Sequence, residues 1–512
     1  MTESRTTNSI KNIAFSLFNQ LLNILLTFIS RKVFIMCLSV DYLGISGLFG
    51  DIFSMLCLAD LGFGTAMTFS MYQPLAEKNY DRLAGLINFY KKVYRIIALV
   101  ITAIGLALIP FLPYLVNTET EIEHLTWYYI LMLANVVASY LVVYKTSIIS
   151  ADQKGYLTTK YTSVFNVVRT VLQIVFLLLT RNYTVYLVIQ VAFTYITNFF
   201  NSYIAKKRYP YITKNIILPK EETKGIFNNI KSVFIYKLSS VLITATDNTL
   251  ISVIVSTTAI GYYSNYTIVS NKIYNIVNTI FYSLTASIGN LIIKENQERR
   301  YQIFEIMQSV SLILSAFCLT CLLFLQEDFI CLWLGEDFLL DKMTLYAILT
   351  NFYFSIVLMP IWVFREATGL YQKTKYIMLA TAVINIFLSI ILGELIGLAG
   401  IIFATSISRL VTYFWYEPFL LFKKYFGKSC LIYFLGIIKS IMTTLVVFGV
   451  VYIVSYFIPA TNWIWFFFKA IIIGSISLVL VFAFYHRSEG FKLLRNRLFG
   501  LMHGLLKRKE EK

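Results

Sequence analysis

Long apolar stretches separated by short polar loops run along this chain from about residue 12 to residue 485. Each stretch is close to the ~20 apolar residues that an α-helix needs to cross the hydrocarbon core of a bilayer. The pattern therefore predicts an all-α polytopic membrane protein with about 14 transmembrane helices. The predicted spans are 12–38, 43–71, 93–115, 125–149, 162–181, 184–205, 232–256, 259–291, 304–326, 343–364, 376–395, 397–421, 431–457 and 463–485.

The charged residues of the loops alternate in sign. Lys and Arg are concentrated in the two termini and in every second loop, whereas the opposite loops contain only Arg181 and Lys342 as cations. Those opposite loops are acidic, as in Glu119, Glu121 and Glu123. Because cytoplasmic loops carry the excess of Lys and Arg, we expect both termini to lie in the cytoplasm.

Composition narrows the class of function. Hydrophobic residues make up 58% of the chain and charged residues 14%, which is too apolar for a soluble domain of 512 residues. The net charge of +17 is distributed between apolar stretches, so no nucleic-acid surface is expected. The six Cys and three His lack metal-ligand spacing, and the acidic loops lack a third catalytic group. We therefore expect no enzyme activity, no metal and no cofactor.

Two segments have amphipathic helical patterns beside basic residues. In the loop from Gln73 to Arg95, apolar positions from Leu83 to Val93 recur at helical spacing, and the basic tail 486–512 repeats the pattern. Such helices lie at the interface and bind anionic headgroups. Anionic membrane lipids are accordingly expected partners of both segments.

The chain contains signs of an internal repeat. Gly44 and Asn79 are separated by the same number of residues as Gly261 and Asn296. Six spans per copy is an even number, so both copies enter from the same side and are related by a pseudo-two-fold axis along the membrane normal. We predict two six-helix lobes plus two C-terminal helices. The predicted divisions are an N-terminal lobe 1–205, a cytoplasmic linker 206–231, a C-terminal lobe 232–421, two extra helices 422–485 and a cytoplasmic tail 486–512.

Charges within the predicted spans are the candidate functional residues. A charge at the bilayer centre costs about 2.5–3.5 kcal/mol on insertion scales, so it usually faces a polar cavity or a partner. The candidate substrate-binding residues are Arg31, Lys32, Lys272, Arg409, Arg169 and Lys237, and the candidate ion-coupling residues are Asp60 and Asp247. For Arg169 and Lys237, placed about two turns from the cytoplasmic end, snorkelling to headgroups is an equal alternative. For the two acids the alternative is a structural salt bridge. A surplus of positive charge favours an anionic substrate such as a phosphate.

Several segments resemble one family of transporters. They are Asp41-YLGISGLF-Gly50, Leu58-ADLGFGTAM, Met71-YQPLAEKN, Ile87-NFYKKVYR, Ser150-ADQKGY, Thr246-DNTLIS and Ile260-GYYSNYTIVSN. In combination they resemble bacterial polysaccharide-biosynthesis flippases of the Wzx type, within the multidrug/oligosaccharidyl-lipid/polysaccharide exporter superfamily.

The resemblance implies a fourteen-span transporter in the bacterial cytoplasmic (inner) membrane. It would move undecaprenyl-diphosphate-linked oligosaccharide to the outer leaflet by alternating access, with a polysaccharide polymerase as a further partner. The resemblance also implies that cationic residues bind the lipid diphosphate, a role transferred here to Arg31, Lys32, Lys272 and Arg409. Two alternatives stay open: a cation-coupled multidrug exporter of the same superfamily, and a non-transporting scaffold for polysaccharide assembly.

Overall fold

The computed structural model describes residues 22–57, 63–118, 121–152 and 154–496, and every regular element in those ranges is helical. The chain divides into two compact units, of which unit 1 ends at Gly261 and unit 2 begins at Tyr262. Asp60 and the tail from residue 497 lie outside the described residues.

Unit 1 contains eleven α-helices among the described residues and the start of a twelfth. They are α1 (22–37), α2 (Val40–Leu56), α3 (Phe63–Ala76), α4 (Tyr80–Ala107), α5 (Leu112–Leu115), α6 (Leu125–Tyr140), α7 (Val143–Ala151), α8 (Tyr156–Thr180), α9 (Tyr183–Arg208), α10 (Lys220–Ala245), α11 (Asp247–Ile254) and α12 (Thr257–Tyr282). The boundary with unit 2 falls inside α12.

Unit 2 continues with longer helices. They are α13 (Thr285–Lys294), α14 (Gln297–Leu334), α15 (Lys342–Val357), α16 (Met359–Thr368), α17 (Tyr371–Val411), α18 (Tyr413–Leu421), α19 (Leu431–Tyr456), α20 (Trp463–Tyr485) and α21 (489–496). Helix α17 is interrupted at Ile396 and Gly397, the boundary predicted between two spans.

Within the described residues, 8 helices are long and apolar enough to cross a membrane, or up to 10 if each bent pair forms one span. Each predicted span overlaps a helix, and the last two match α19 and α20 to within one residue. The all-helical multi-pass class is therefore confirmed, while the count of fourteen crossings stays a prediction.

The repeat extends through the order of the helices. Helices α2, α4, α6 and α7 have counterparts α12, α14, α15 and α16, whose starts lie at or within one residue of the same 217-residue offset. The bent pairs correspond as well, with 46° between α6 and α7 and 44° between α15 and α16. The helix caps also repeat: Asn79 accepts from Arg82 N at 3.0 Å, and Asn296 accepts from Arg299 N at 2.9 Å.

Equivalent residues of the repeat also meet where α2 and α12 begin. The hydroxyl of Thr258 donates to Asp41 at 2.5 Å. A Cβ on Gly44 would overlap the carbonyl oxygen of Thr257, and a Cβ on Gly261 would overlap that of Val40. The two glycines therefore permit a backbone approach that a larger residue blocks.

The interfacial helix predicted before the third span is wrong. Residues 80–107 form one continuous helix, α4, and Leu83, Leu86, Ile87 and Tyr90 of the predicted apolar stripe are buried inside unit 1. Part of this face is covered by the segment after α9, which the side chain of Asn88 holds through its hydrogen bond to Lys214 O at 2.7 Å. Burial against protein, rather than lipid, accounts for the stripe.

Candidate substrate-binding sites

The first site in unit 1 combines two arginines from different helices. Arg31 on α1 and Arg169 on α8 both interact electrostatically with the hydroxyl of Tyr186 on α9. The Nε atom of Arg169 is buried and has no hydrogen-bond partner among the described residues. Within those residues no carboxylate lies at salt-bridge distance from Arg169. We call Arg31, Arg169 and Tyr186 the Arg31 cluster.

Arg169 lies farther from the helix end than its sequence position indicated. Helix α8 begins at Tyr156, six residues before the predicted span, because its polar first turn continues the helix beyond the apolar stretch. Arg169 is therefore near the middle of a helix of 25 residues, not two turns from its end. The added turn is polar and does not lengthen the apolar stretch, so snorkelling and cavity lining both stay predictions for Arg169.

Aromatic rings flank the Arg31 cluster. The ring of Tyr186 lies 5.2 Å from that of Phe34 and 6.0 Å from that of Tyr183, with which it is stacked. Tyr183 in turn packs at 5.0 Å from Tyr42 and 4.9 Å from Tyr128. The backbone carbonyl of Tyr186 accepts a hydrogen bond from Gln173 at 3.2 Å. The rings and the amide fix the position of the Tyr186 hydroxyl.

The two neighbouring basic residues of α1 point in different directions. Arg31 is half-buried beside Tyr186, whereas Lys32 is exposed on the same helix face as Leu25, Ile29 and Met36. Consecutive helical residues are about 100° apart, so one helix cannot direct both toward one ligand. Lys32 is consequently a weaker candidate than Arg31.

The second site lies in unit 2, around Arg409 on α17. Its guanidinium donates to Ser355 Oγ on α15 at 3.2 Å and interacts electrostatically with Tyr274 and Tyr413. Its Nε atom is buried without a hydrogen-bond partner, and no carboxylate among the described residues forms a salt bridge with it. We call Arg409, Ser355, Tyr274 and Tyr413 the Arg409 cluster.

Polar contacts between helices fix the backbone that carries Arg409. Ser406 contacts Asn351 Oδ1, and the amide of Asn351 donates to Ile402 O at 2.8 Å. One turn farther along, the hydroxyls of Thr381 and Thr412 are 2.7 Å apart. These contacts connect α15 to both halves of α17 and thereby fix the backbone from which the Arg409 side chain extends.

Lys272 and Lys237 are half-buried on α12 and α10, respectively. Lys272 lies two residues before Tyr274, on the helix that contributes to the Arg409 cluster. Lys237 lies in the second half of α10. Their roles in binding stay predictions.

The acidic candidates lie near a helix break. Asp247 is half-buried and begins α11, directly after the break from α10. The next residue, Asn248, donates from its backbone and side-chain N–H groups to Asp51 on α2. Asp51 was not among the candidate residues named from the sequence. The structure nevertheless gives its carboxylate a hydrogen-bond donor, Asn248.

Sequence reasoning also missed the buried ion pair of unit 2. Arg365 on α16 donates through Nη1 to both carboxylate oxygens of Glu417 on α18, at 2.7 and 3.0 Å. The two side chains are only 7% and 2% exposed. A second pair joins Lys469 of α20 to Asp328 of α14 at 2.7 Å. These two cations are neutralised by carboxylates, whereas the described part of the chain places no carboxylate at salt-bridge distance from Arg169 or Arg409.

The fold is similar to those of several solved membrane transporters. The chain is similar to the lipid II flippase MurJ in an inward closed conformation, with a TM-score of 0.68 and 16% identity over 92% of this chain and 98% of that one. It is also similar to an inward-facing multidrug resistance MATE family transporter of the MOP superfamily, with a TM-score of 0.60 and 14% identity over 78% and 93%. A MATE transporter of Vibrio cholerae, VcmN, gives 0.54 and 12% over 84% and 100%.

No family model matches the chain, and no curated protein sequence matches it significantly. The likeness to the solved structures therefore establishes the fold: this chain has the helical architecture shared by MurJ and the MATE transporters.

Proposed function

We propose that this protein is a flippase that carries a polyprenyl-diphosphate-linked oligosaccharide, in the Wzx-type case undecaprenyl-linked, from the inner to the outer leaflet. The observation that carries the proposal is the pair of half-buried arginines, Arg169 and Arg409, that have no carboxylate partner among the described residues. An uncompensated cation inside a membrane is costly unless it serves an anion. A diphosphate offers that anion.

The chemistry of each cluster suits this substrate. A guanidinium can donate two parallel hydrogen bonds to phosphate oxygens, and two guanidinium groups around one hydroxyl can hold a doubly charged group. Tyr186 and Tyr274, which are half-buried, carry hydroxyls and rings of the kind that bind sugars. The polyprenyl tail stays in the lipid, no covalent bond is broken, and the head group is exposed first to one side and then to the other.

A cation-coupled multidrug exporter is the second candidate, because MATE transporters share the fold. Such a protein needs carboxylates for cationic compounds, and Asp51 and Asp247 near the α10–α11 break are the candidates for that role or for ion coupling. The uncompensated arginines argue against it. A scaffold without transport is disfavoured for the same reason, since a structural role calls for buried cations that are paired with carboxylates, as Arg365 is with Glu417.

The test is a flipping assay in proteoliposomes that contain undecaprenyl-diphosphate-linked oligosaccharide, with outer-leaflet sugar measured by a membrane-impermeant lectin. We expect R31A and R409A each to slow the initial rate by about tenfold or more, because each removes charge-assisted hydrogen bonds to the diphosphate. R31K and R409K should restore the rate only partly. Arg181 is an exposed arginine between α8 and α9, so R181A is the matched control and should leave the initial rate unchanged.

Unaltered rates in both alanine variants, at equal protein abundance, would exclude the diphosphate role. Efflux of a cationic dye that survives R409A and disappears in D247N would support the exporter instead. For coupling, the wild-type rate should respond to an imposed ion gradient, and D247N should abolish that response if the carboxylate binds the ion.

A further inference from the structure

A small cavity lined by both apolar and polar residues lies where α14 begins and where α19 begins, at the end of unit 2 that also contains the end of α20. Its volume is about 160 Å³. The α14 side contributes Glu305, Gln308 and Ser309, the α19 side contributes Tyr433 and Lys439, and Gly490 of α21 closes the cavity. A Cβ on Gly490 would overlap Ser309 Oγ and the carbonyl oxygen of Glu305, so this closure is tight.

Buried polar atoms in the cavity lack partners. Gln308 is 8% exposed, and neither its amide nitrogen nor its amide oxygen has a hydrogen-bond partner among the described residues. The hydroxyl of Tyr433, which is 3% exposed, is in the same situation. Such groups are nearly always satisfied in native proteins, so the pattern indicates a ligand with both donors and acceptors.

The charges around the cavity indicate a zwitterion. Glu305 is half-buried without a salt bridge in the described part of the chain, and Glu489 adds a second carboxylate that Lys492 partly neutralises at 2.8 Å. Lys439 is the exposed cation of the lining. The carboxylates attract an ammonium group, whereas Lys439 attracts a phosphate next to it.

The surroundings of Lys439 favour a lipid over a soluble zwitterion. Along α19 the apolar residues Leu435, Ile438 and Met442 are 55%, 56% and 59% exposed, and they form a stripe that continues from the cavity along a predicted membrane span. Acyl chains can lie on this stripe while the head group enters the cavity. A soluble amine would make no contact with this apolar stripe.

We propose that this cavity binds the head group of an aminophospholipid, with its ammonium directed to Glu305 and Gln308 and its phosphate bound by Lys439. The site belongs entirely to unit 2 and uses none of the residues of the two arginine clusters. The proposal therefore does not rest on which substrate the protein transports.

Native mass spectrometry of the delipidated full chain tests the proposal with phosphatidylethanolamine, phosphatidylcholine and phosphatidylglycerol of identical acyl chains. Wild type should retain one phosphatidylethanolamine with about tenfold lower Kd than either other lipid, because trimethylammonium has no N–H donor and glycerol has no cation. E305Q and Q308L should abolish this preference. E298Q, which removes another carboxylate from the start of α14, should preserve it.

K439Q should weaken all three phospholipids by a similar factor, because all three carry the phosphate. Equal retention of the three lipids by wild type, or a preference for phosphatidylglycerol, would overturn the proposal. The comparison of the three lipids on wild type is sufficient to test the proposal, even if one of the variants does not yield monodisperse protein.

Discussion

At the residue scale, the decisive difference is between cations that have a carboxylate partner and cations that do not. Arg365 and Lys469 are bound to Glu417 and Asp328. Sequence analysis missed the Arg365 pair because it ended the tenth span at residue 364 and left Glu417 out of its intramembrane charges. The partners are 52 residues apart, and no local pattern connects them.

The Arg365–Glu417 pair yields a prediction about stability. Removing one partner should destabilise unit 2 by about 3–5 kcal/mol, because a buried charge is left uncompensated. We therefore expect R365L and E417L each to lower the thermal unfolding midpoint strongly in detergent. The double variant R365L/E417L should recover most of the loss, since an apolar pair of similar volume needs no desolvation of charge. Additive losses in the double-mutant cycle would contradict direct coupling.

A second residue-scale prediction concerns Asp152, in the loop between α7 and α8. Partial burial raises the pKa of this carboxyl group, but hydrogen bonds from Lys154 and Tyr209, both at 2.6 Å, outweigh burial and lower the pKa below its ordinary value. A lowered folded-state pKa contributes stability above the unfolded-state pKa of about 4, and this stability disappears as the pH falls through the folded-state pKa.

Wild type should therefore lose about 1 kcal/mol of stability on acidification through this carboxyl group, as expected for a partly exposed charge-assisted pair. D152N should remove that part of the pH dependence, and Y209F should reduce it. The measurement is the unfolding midpoint from pH 6 down to pH 3 for the three proteins. Parallel curves for wild type and D152N would show that the carboxylate is not involved.

At the element scale, the sequence predicted most of the helices, because a span long enough for the bilayer is visible in composition alone. Helices α8 and α14 continue beyond their apolar stretches. Both have polar first turns, and α14 has charged residues near its end, so the apolar pattern alone did not show where these helices begin and end. The stripe from Leu83 to Tyr90 was assigned to lipid because periodicity shows that a face is buried and does not show against what.

The candidate site was predictable only in part for the same reason. Sequence can identify an arginine within a span, but the meeting of α1, α8 and α9 around Tyr186 depends on tertiary packing. The repeat was more accessible, because the two glycines and the two cap asparagines recur at one offset. The cations did not repeat: residues 383–388 and 190–195, which include the positions 217 residues from Arg169 and Arg409, contain no Lys or Arg.

The crossing of α2 and α12 gives the prediction at this scale. G44A and G261A should each destabilise unit 1 by about 1–3 kcal/mol, because the added methyl group would overlap a carbonyl oxygen of the opposite helix. G50A is the matched control on α2, since a Cβ there meets nothing within 4 Å, and helix propensity makes it neutral or stabilising. Unfolding midpoints measure all three, and equal effects of G44A and G50A would refute close packing as the reason for the glycines.

At the scale of the whole molecule, the predicted orientation rests on the distribution of Lys and Arg among the loops, not on the net charge of +17 itself. Cysteine labelling in a variant without the six native cysteines tests the predicted orientation. Asp337 and Arg181 are exposed in cation-poor connections, whereas Lys207 and Lys373 are exposed at the ends of α9 and α17 that adjoin cation-rich segments. A membrane-impermeant maleimide should therefore label D337C and R181C in intact cells, and K207C and K373C only after the membrane is opened.

Orientation also bears on the direction of transport. A diphosphate-linked substrate assembled on the cytoplasmic leaflet must first meet the cations from the cation-rich side, which the positive-inside rule places in the cytoplasm. If K207C and K373C were labelled in intact cells while D337C was protected, the topology would be inverted. The cation-rich side would then face the outside of the cell. Transport from the inner to the outer leaflet would be contradicted even if both arginine clusters bound diphosphate.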